Sequence, residues 1–151
     1  MSDPRKKEET AYYSEEEFMK RFDFDQSEVL GEGGFAKVYK AFDKQFDEYV
    51  VLKFQTEDNV SKYDILNEVK TSRKLSHKNI IRVHEAHVIK TKKASFGSNE
   101  IQVGVLEFAE GGNLYDYIKT SPTEEDFKTI FKGVLDGLEF LHNEKQLIHR
   151  D

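Results

Sequence analysis

The chain has 151 residues, enough for one domain or part of a larger one, and 37% hydrophobic content with 12 Phe and 7 Tyr excludes a wholly disordered polypeptide. With 29 acidic against 23 basic residues the net charge is -6, so no general attraction to nucleic acid or to an anionic membrane is expected, and any bound phosphate must be held by local geometry. Cysteine is absent, which excludes disulfides and thiolate chemistry; the start has no signal-peptide core and no run approaches about 20 apolar residues, so an intracellular, cytoplasmic location is expected.

Residues 1–23 are dominated by charge ("RKKEET", "SEEEFMKR"), with Phe18, Met19 and Phe22 as a short apolar stripe, and read as an extension that is partly ordered at most. From Phe24 to Gln55 the runs "SEVL", "KVYKAF" and "YVVLKF" alternate with glycines and the polar "DKQFDE", the pattern of a three-stranded antiparallel meander. Ile65, Leu66, Val69 and Leu75 predict a helix over Lys62–Leu75. "NIIRVHEAHVIK" and "IQVGVLEFA" add two strands joined by the loop "TKKASFGSNE", so a sheet of about five strands with one inserted helix is expected. A short helix over Tyr115–Lys119 precedes a long one in "SPTEEDFKTIFKGVLDGLEFLH", with Ser121 as N-cap, Pro122 at the first helical position and Glu124 closing a capping box. Its stripe is Phe127, Ile130, Phe131, Val134, Leu135, Leu138 and Leu141. His84 and His87 in "HEAH" lack the i, i+4 spacing of a helical metal pair and fall on opposite faces of a strand, so no metal site is predicted there.

The stretch "GEGGFAKVYK" places Gly31, Gly33 and Gly34 in the first turn of the meander, where they serve either a tight hairpin or a phosphate cradle, because glycine admits close backbone approach and positive φ. A Walker A loop needs Gly-Lys-Ser/Thr opening a helix, and none is present. A dinucleotide loop also opens a helix and needs an acidic residue about 20 positions on. Here the glycines run into strand-like "KVYKAF", and the residue 22 positions after Gly31 is Lys53. What remains is a glycine-rich hairpin over a nucleotide, with a lysine from a following strand reaching its phosphates.

In these motifs the chain resembles the protein kinase family from about Phe24 to Asp151. "GEGGFAKV" is similar to the family's glycine-rich loop, "VVLK" to its lysine strand, "NEVKTSRKLSHKNII" to its central helix and the turn after it, "VLEFAEGGNL" to its hinge, and "LIHRD" to the start of its catalytic loop. The resemblance implies an α+β fold: a five-stranded antiparallel small lobe with one helix (24–106) after the charged extension (1–23), then the hinge and first helices of a large lobe (107–151). It implies ATP held by Gly31, Gly33, Gly34, Val38 and Val51, with Lys53 on the α- and β-phosphates, Glu68 as partner of Lys53, Leu106 as gatekeeper, and the backbone of Glu107 and Ala109 on adenine. Asp151 would take the proton of a protein substrate's hydroxyl. Ala36 stands at the family's third glycine, Val51 at its usual alanine, and Ser72 at a usually large apolar position.

The family's magnesium-binding D-F-G motif would follow Asp151, so no metal ligand is expected within these residues and they are expected to be inactive alone. The reading is the ATP-binding portion of a truncated or incomplete kinase, of serine/threonine type, using Mg-ATP in its full-length parent. The alternative is a non-catalytic kinase-like module that binds nucleotide weakly or pairs with a partner.

Overall fold

The computed structural model describes residues 10–33, 36–55, 64–95 and 98–149, with backbone alone for 92–95, 98 and 99. Strand β1 (Ala11–Ser14), helix α1 (Glu15–Arg21) and strand β2 (Phe22–Asp23) lead into β3 (Val29–Glu32), β4 (Ala36–Asp43) and β5 (Glu48–Gln55). Helix α2 (Ile65–Ser72), β6 (Val83–Ser95), β7 (Ser98–Glu107), α3 (Leu114–Ile118) and α4 (Glu124–Glu139) follow, and a π-helical turn (Phe140–Glu144) ends the last helix. The sheet has seven strands in the order β1-β6-β7-β5-β4-β2, with β3 also paired to β4. The five strands expected from the sequence form its body, antiparallel throughout, while β1 joins β6 in parallel. The expected loop "TKKASFGSNE" is largely strand, because β6 runs to Ser95 and β7 starts at Ser98.

Alternation divides the sheet into two faces. One carries the larger core cluster, in which Val50, Leu52, Val103 and Val105 are fully buried beside Ala41 and Ile89. Helix α1 covers it, with Phe18 and Phe22 at 1% and 0% exposure and their rings 4.7 Å apart. The segment read as a charged extension is therefore folded from β1 through β2. Ser14 starts α1 with a full capping box: its hydroxyl accepts the Glu17 N–H at 3.2 Å, and its own N–H donates to the Glu17 carboxylate at 2.9 Å. Burying Phe18 and Phe22 is worth about 1.5–3 kcal/mol each, enough to order a segment whose surface is charged.

Arg21 ties this segment down. Its guanidinium donates to both oxygens of Asp43, at 3.1 and 2.7 Å, to the Tyr13 hydroxyl at 3.1 Å, and to Glu85. Asp43 is fully buried, yet it has a further donor in the Gln45 N–H at 3.0 Å. Burial would lower the Arg21 pKa, but the Asp43 hydrogen bonds, Glu85 and Tyr13 raise it above its ordinary value. Burial pushes the Glu85 carboxyl up, and the neighbouring His87 and Arg21 together outweigh it and hold the carboxyl below its ordinary value of 4.5.

The opposite face holds α2 over a smaller cluster of Ile65, Val69, Val83 and Ala86, with Leu66 and Leu106 against it. Asp64 caps the helix by accepting the Asn67 N–H at 3.2 Å, and the side chain of Gln102 in β7 accepts the Leu66 N–H at 3.2 Å.

The chain divides into two compact units, Arg82–Phe108 joining the residues up to Leu75 in one and Ser76–Ile81 joining the residues from Ala109 onward in the other. In the second unit α4 begins two residues later than the sequence suggested. Ser121 has φ +58 and Pro122 precedes the cap; Thr123 is the N-cap, its hydroxyl accepting the Asp126 N–H at 3.2 Å while Asp126 accepts the Thr123 N–H at 2.8 Å. Threonine and aspartate three apart make the reciprocal pair that Ser121 and Glu124 do not. Gly133 and Gly137, one turn apart, face Asn79, so the 76–81 segment lies directly on the helix. Of the predicted stripe Leu141 is buried, whereas Phe131, Val134 and Leu135 are exposed. Among the described residues no helix is long and apolar enough to cross a membrane.

Arg21→Lys should lower stability by roughly 1.5–3 kcal/mol in urea denaturation, because one ammonium cannot reproduce two parallel bonds to Asp43 and also reach Tyr13 and Glu85. A depressed folded-state pKa at Glu85 means stabilisation complete above the ordinary value of 4.5 and lost as pH falls through the folded value. Unfolding free energy measured from pH 6 downward, a range about that pivot, should decline below it, and less steeply in Glu85→Gln.

Candidate functional site

The candidate residues of the sheet meet on the α2 face through strand register. Residues directly opposite in an antiparallel pair share a face. Gly31 pairs with Val38, Val38 with Lys53, Lys53 with Gly104 and Gly104 with Ala86, one row across β3, β4, β5, β7 and β6. Two residues along, Lys40 pairs with Val51 and Val51 with Leu106. Three strands thus present Val38, Val51, Lys53 and Leu106 together, half-buried, beside the glycine hairpin.

Lys53 sits where the row meets α2. Its ammonium donates to both carboxylate oxygens of Glu68 at 2.9 Å, the side chains being 24% and 33% exposed. A long lysine stem is flexible, and a chelating carboxylate restricts where its charge resides. The pair stays open to solvent on one side, so it fixes a cation at the surface of the face rather than burying it. Glu68 is in the middle of α2, whose position on β7 is set by apolar contacts and by the Gln102 hydrogen bond.

The glycine hairpin departs from one expectation. Gly31 and Gly33 have no positive φ, and Gly112 is the one glycine among the described residues that does. Open space is what the two glycines supply, since a Cβ at either would meet nothing within 4 Å. The Gly33 N–H donates to the Ala36 carbonyl at 3.0 Å, closing the turn, and Lys37 and Glu32 pair across it at 3.0 Å. Gly34 lies outside the described residues, as does Asp151; His149 is exposed.

Glu107 ends β7 with its N–H donating to the Arg82 carbonyl at 2.8 Å and its carboxylate accepting the Arg82 N–H at 2.9 Å. Ala109 belongs to the second compact unit, where its carbonyl accepts the Gly112 N–H at 3.3 Å. Ser72 is the last residue of α2, half-buried, and its carbonyl accepts the Leu75 N–H at 2.9 Å. Gly104 was not singled out from the sequence, and in isolation a glycine within an apolar run signals only a weak strand position.

A profile of the protein kinase domain matches residues 24–151. The chain belongs to the protein kinase family. Its fold is that of a kinase small lobe with the start of the large lobe, and the N-terminal β1–α1–β2 segment adds two short strands to the sheet. Among its relatives, the maternal embryonic leucine zipper kinase of Xenopus laevis is 34% identical over 142 residues, covering 90% of this chain and 20% of the relative. CBL-interacting serine/threonine-protein kinase 17 of Arabidopsis thaliana is 35% identical over 135 residues, covering 85% and 29%. Death-associated protein kinase 2 of Homo sapiens is 31% identical over 137 residues, covering 85% and 34%. The kinase chain thus spans 20% to 34% of the length of these relatives.

Solvent access makes the Lys53–Glu68 pair a weak contributor to stability. Glu68→Ala should cost less than about 1 kcal/mol in urea denaturation, whatever it does to ligand binding.

Proposed function

We propose that these residues form the ATP-binding portion of a protein kinase of serine/threonine type, which in the whole protein transfers the γ-phosphate of ATP to a protein hydroxyl. The observation that carries this reading is the Lys53 ammonium, held at 2.9 Å by both oxygens of Glu68 on the same face as Val38, Val51 and Leu106. Adenine is flat and apolar on its faces, and Val38, Val51 and Leu106 supply apolar contact for it. Triphosphate is anionic, and Lys53 supplies a cation of restricted position for its α- and β-phosphates. Gly31, Gly33 and Gly34 admit the phosphates without a side chain in the way. The Gly33 N–H has to leave the Ala36 carbonyl before it can bind phosphate. At the hinge the Glu107 N–H is committed to Arg82, so the Glu107 contact with adenine falls to its carbonyl, and Ala109 supplies the second backbone group.

The small lobe in this reading covers 24–106 and the start of the large lobe 107–151, with Asp151 as the group that accepts the substrate hydroxyl's proton. Serine/threonine type is favoured by the relatives, one of which carries that specificity in its name. Magnesium accompanies ATP in this family and neutralises charge on the phosphates. Among the described residues no group of three His, Cys, Asp or Glu could hold a metal ion, so magnesium is assigned to none of them. A kinase-like module without turnover of its own is the second reading, favoured by the commitment of the Gly33 N–H within the hairpin.

Thermal unfolding of the 151-residue chain at millimolar ATP tests the nucleotide binding on which the first reading depends. At ten times its Kd, ATP adds about 1.4 kcal/mol, a rise in Tm of roughly 4 °C. Lys53→Ala should remove most of that rise, whereas the smaller shift given by adenosine, which has no phosphates, should be unchanged. No shift of the wild-type chain by millimolar ATP would end the nucleotide-binding reading for these residues.

A further inference from the structure

Gly104 occupies the interior of β7, where glycine weakens a strand and its two chain neighbours, Val103 and Val105, are branched and fully buried. It lies beside Lys53 in β5 and Ala86 in β6, so the row narrows to two small residues where α2 crosses it. A Cβ at position 104 would stand 3.3 Å from Cγ2 of Ile65, 3.3 Å from Cγ2 of Val69 and 3.5 Å from Cδ1 of Leu106. Carbon atoms pack best at about 3.5–4.0 Å, so the first two contacts require displacement. Neither side chain can turn aside readily: both are β-branched within a helix, which fixes χ1, and they are 0% and 5% exposed. The helix itself has to retreat. Val69 follows Glu68 directly in α2, so a retreat there draws the Glu68 carboxylate away from Lys53, the cross-strand neighbour of Gly104.

We propose that Gly104 is a positioning residue: its missing side chain lets α2 lie on β7 at the depth that brings Glu68 to Lys53. The inference rests on the reading of Lys53 as a phosphate anchor only for its purpose, not for its geometry. Gly104 touches no phosphate and acts through α2. Small size at 104 opposes the local preference of a strand for branched residues, so a structural role in the sheet would be better filled by valine. That opposition separates seating of the helix from ordinary packing.

Reductive methylation of the intact chain without nucleotide, followed residue by residue by mass spectrometry, reads how far Glu68 shields the Lys53 amine. Gly104→Ala and Gly104→Val should raise Lys53 methylation relative to the exposed Lys128 and Lys132 by roughly twofold to fivefold, the range that loss of a partly exposed ion pair allows. Removing one of the two opposing methyl groups should lower Lys53 methylation in Gly104→Ala/Val69→Ala part of the way back from the Gly104→Ala value, while Gly111→Ala, where a Cβ meets nothing within 4 Å, should leave it unchanged. Unchanged Lys53 methylation in Gly104→Val would overturn the proposal, as would a rise shared by all lysines or an absence of rescue. ATP-induced thermal shifts on the same proteins keep the two readings apart. Altered Lys53 shielding with no ATP shift in the wild type removes the nucleotide reading and leaves the seat of α2 standing; the converse removes only the role of Gly104.

Discussion

A β-strand gives alternate side chains to opposite sides of its sheet, and β5 uses that constraint to separate stability from chemistry. Val50 and Leu52 go into the large core beneath α1, while Val51 and Lys53 go to the face shared with α2. A slip of one residue in β5 would bury the Lys53 ammonium beside Phe18 and Phe22 and turn Val50 and Leu52 to the other side. Burying a lone cation there is costly, so register is held by the same hydrophobic burial that stabilises the fold. Lys53 depends on its apolar neighbours for its place more than on Glu68.

The α1 side shows a different use of charge. A buried guanidinium with two carboxylates gains little net stability over an apolar cluster of the same shape, because desolvation offsets most of the attraction. What the Arg21 fork provides is direction. Asp43 ends β4, Glu85 belongs to β6 and Tyr13 to β1, so a single side chain fixes the first helix against three strands. Removing any one partner leaves the others buried without compensation, and the segment is therefore held in one arrangement. Phe18 and Phe22 supply the burial, and Arg21 selects where it occurs.

Legibility in the sequence followed the range of the interactions. Val, Tyr and Phe runs marked the five strands of the sheet body because they are local patterns, and order and spacing linked the Gly31 hairpin to Lys53, whereas Glu68 was indicated only by resemblance to the kinase central helix. The N-terminal segment was read as partly ordered at most with Phe18, Met19 and Phe22 as its stripe, and its further signals were present too: Ser14 with Glu17 is a capping box, and Phe18 and Phe22 lie one helical turn apart. Those signals were outweighed by the charge around them, and the residues that order the segment, Asp43 and Glu85, lie 22 and 64 positions from Arg21. Ser121 was read as the cap because serine before proline is a common helix start, whereas the pair that forms depends on the reach of Thr123 to Asp126. The commitment of the Gly33 N–H to Ala36 depends on how the hairpin closes, which composition does not encode.

The ion pair of Lys53 and Glu68 raises a question of cause that its distances alone do not answer. An exposed pair of this kind contributes at most about 1 kcal/mol, less than the burial of a single isoleucine, so it cannot hold α2 against the sheet. Ile65 and Val69 do that, and the smallness of Gly104 and Ala86 sets how closely they do it. The pair therefore reports the position of α2 instead of determining it. A helix held by a small apolar patch and by its Leu66 N–H donating to Gln102 is easier to shift than one embedded in the main core, and half-buried Ser72 at its C-terminal end adds little apolar contact. Charge geometry at Lys53 is thus governed from the apolar side of α2, which makes the packing of that helix the means by which other residues can reach the Lys53–Glu68 pair.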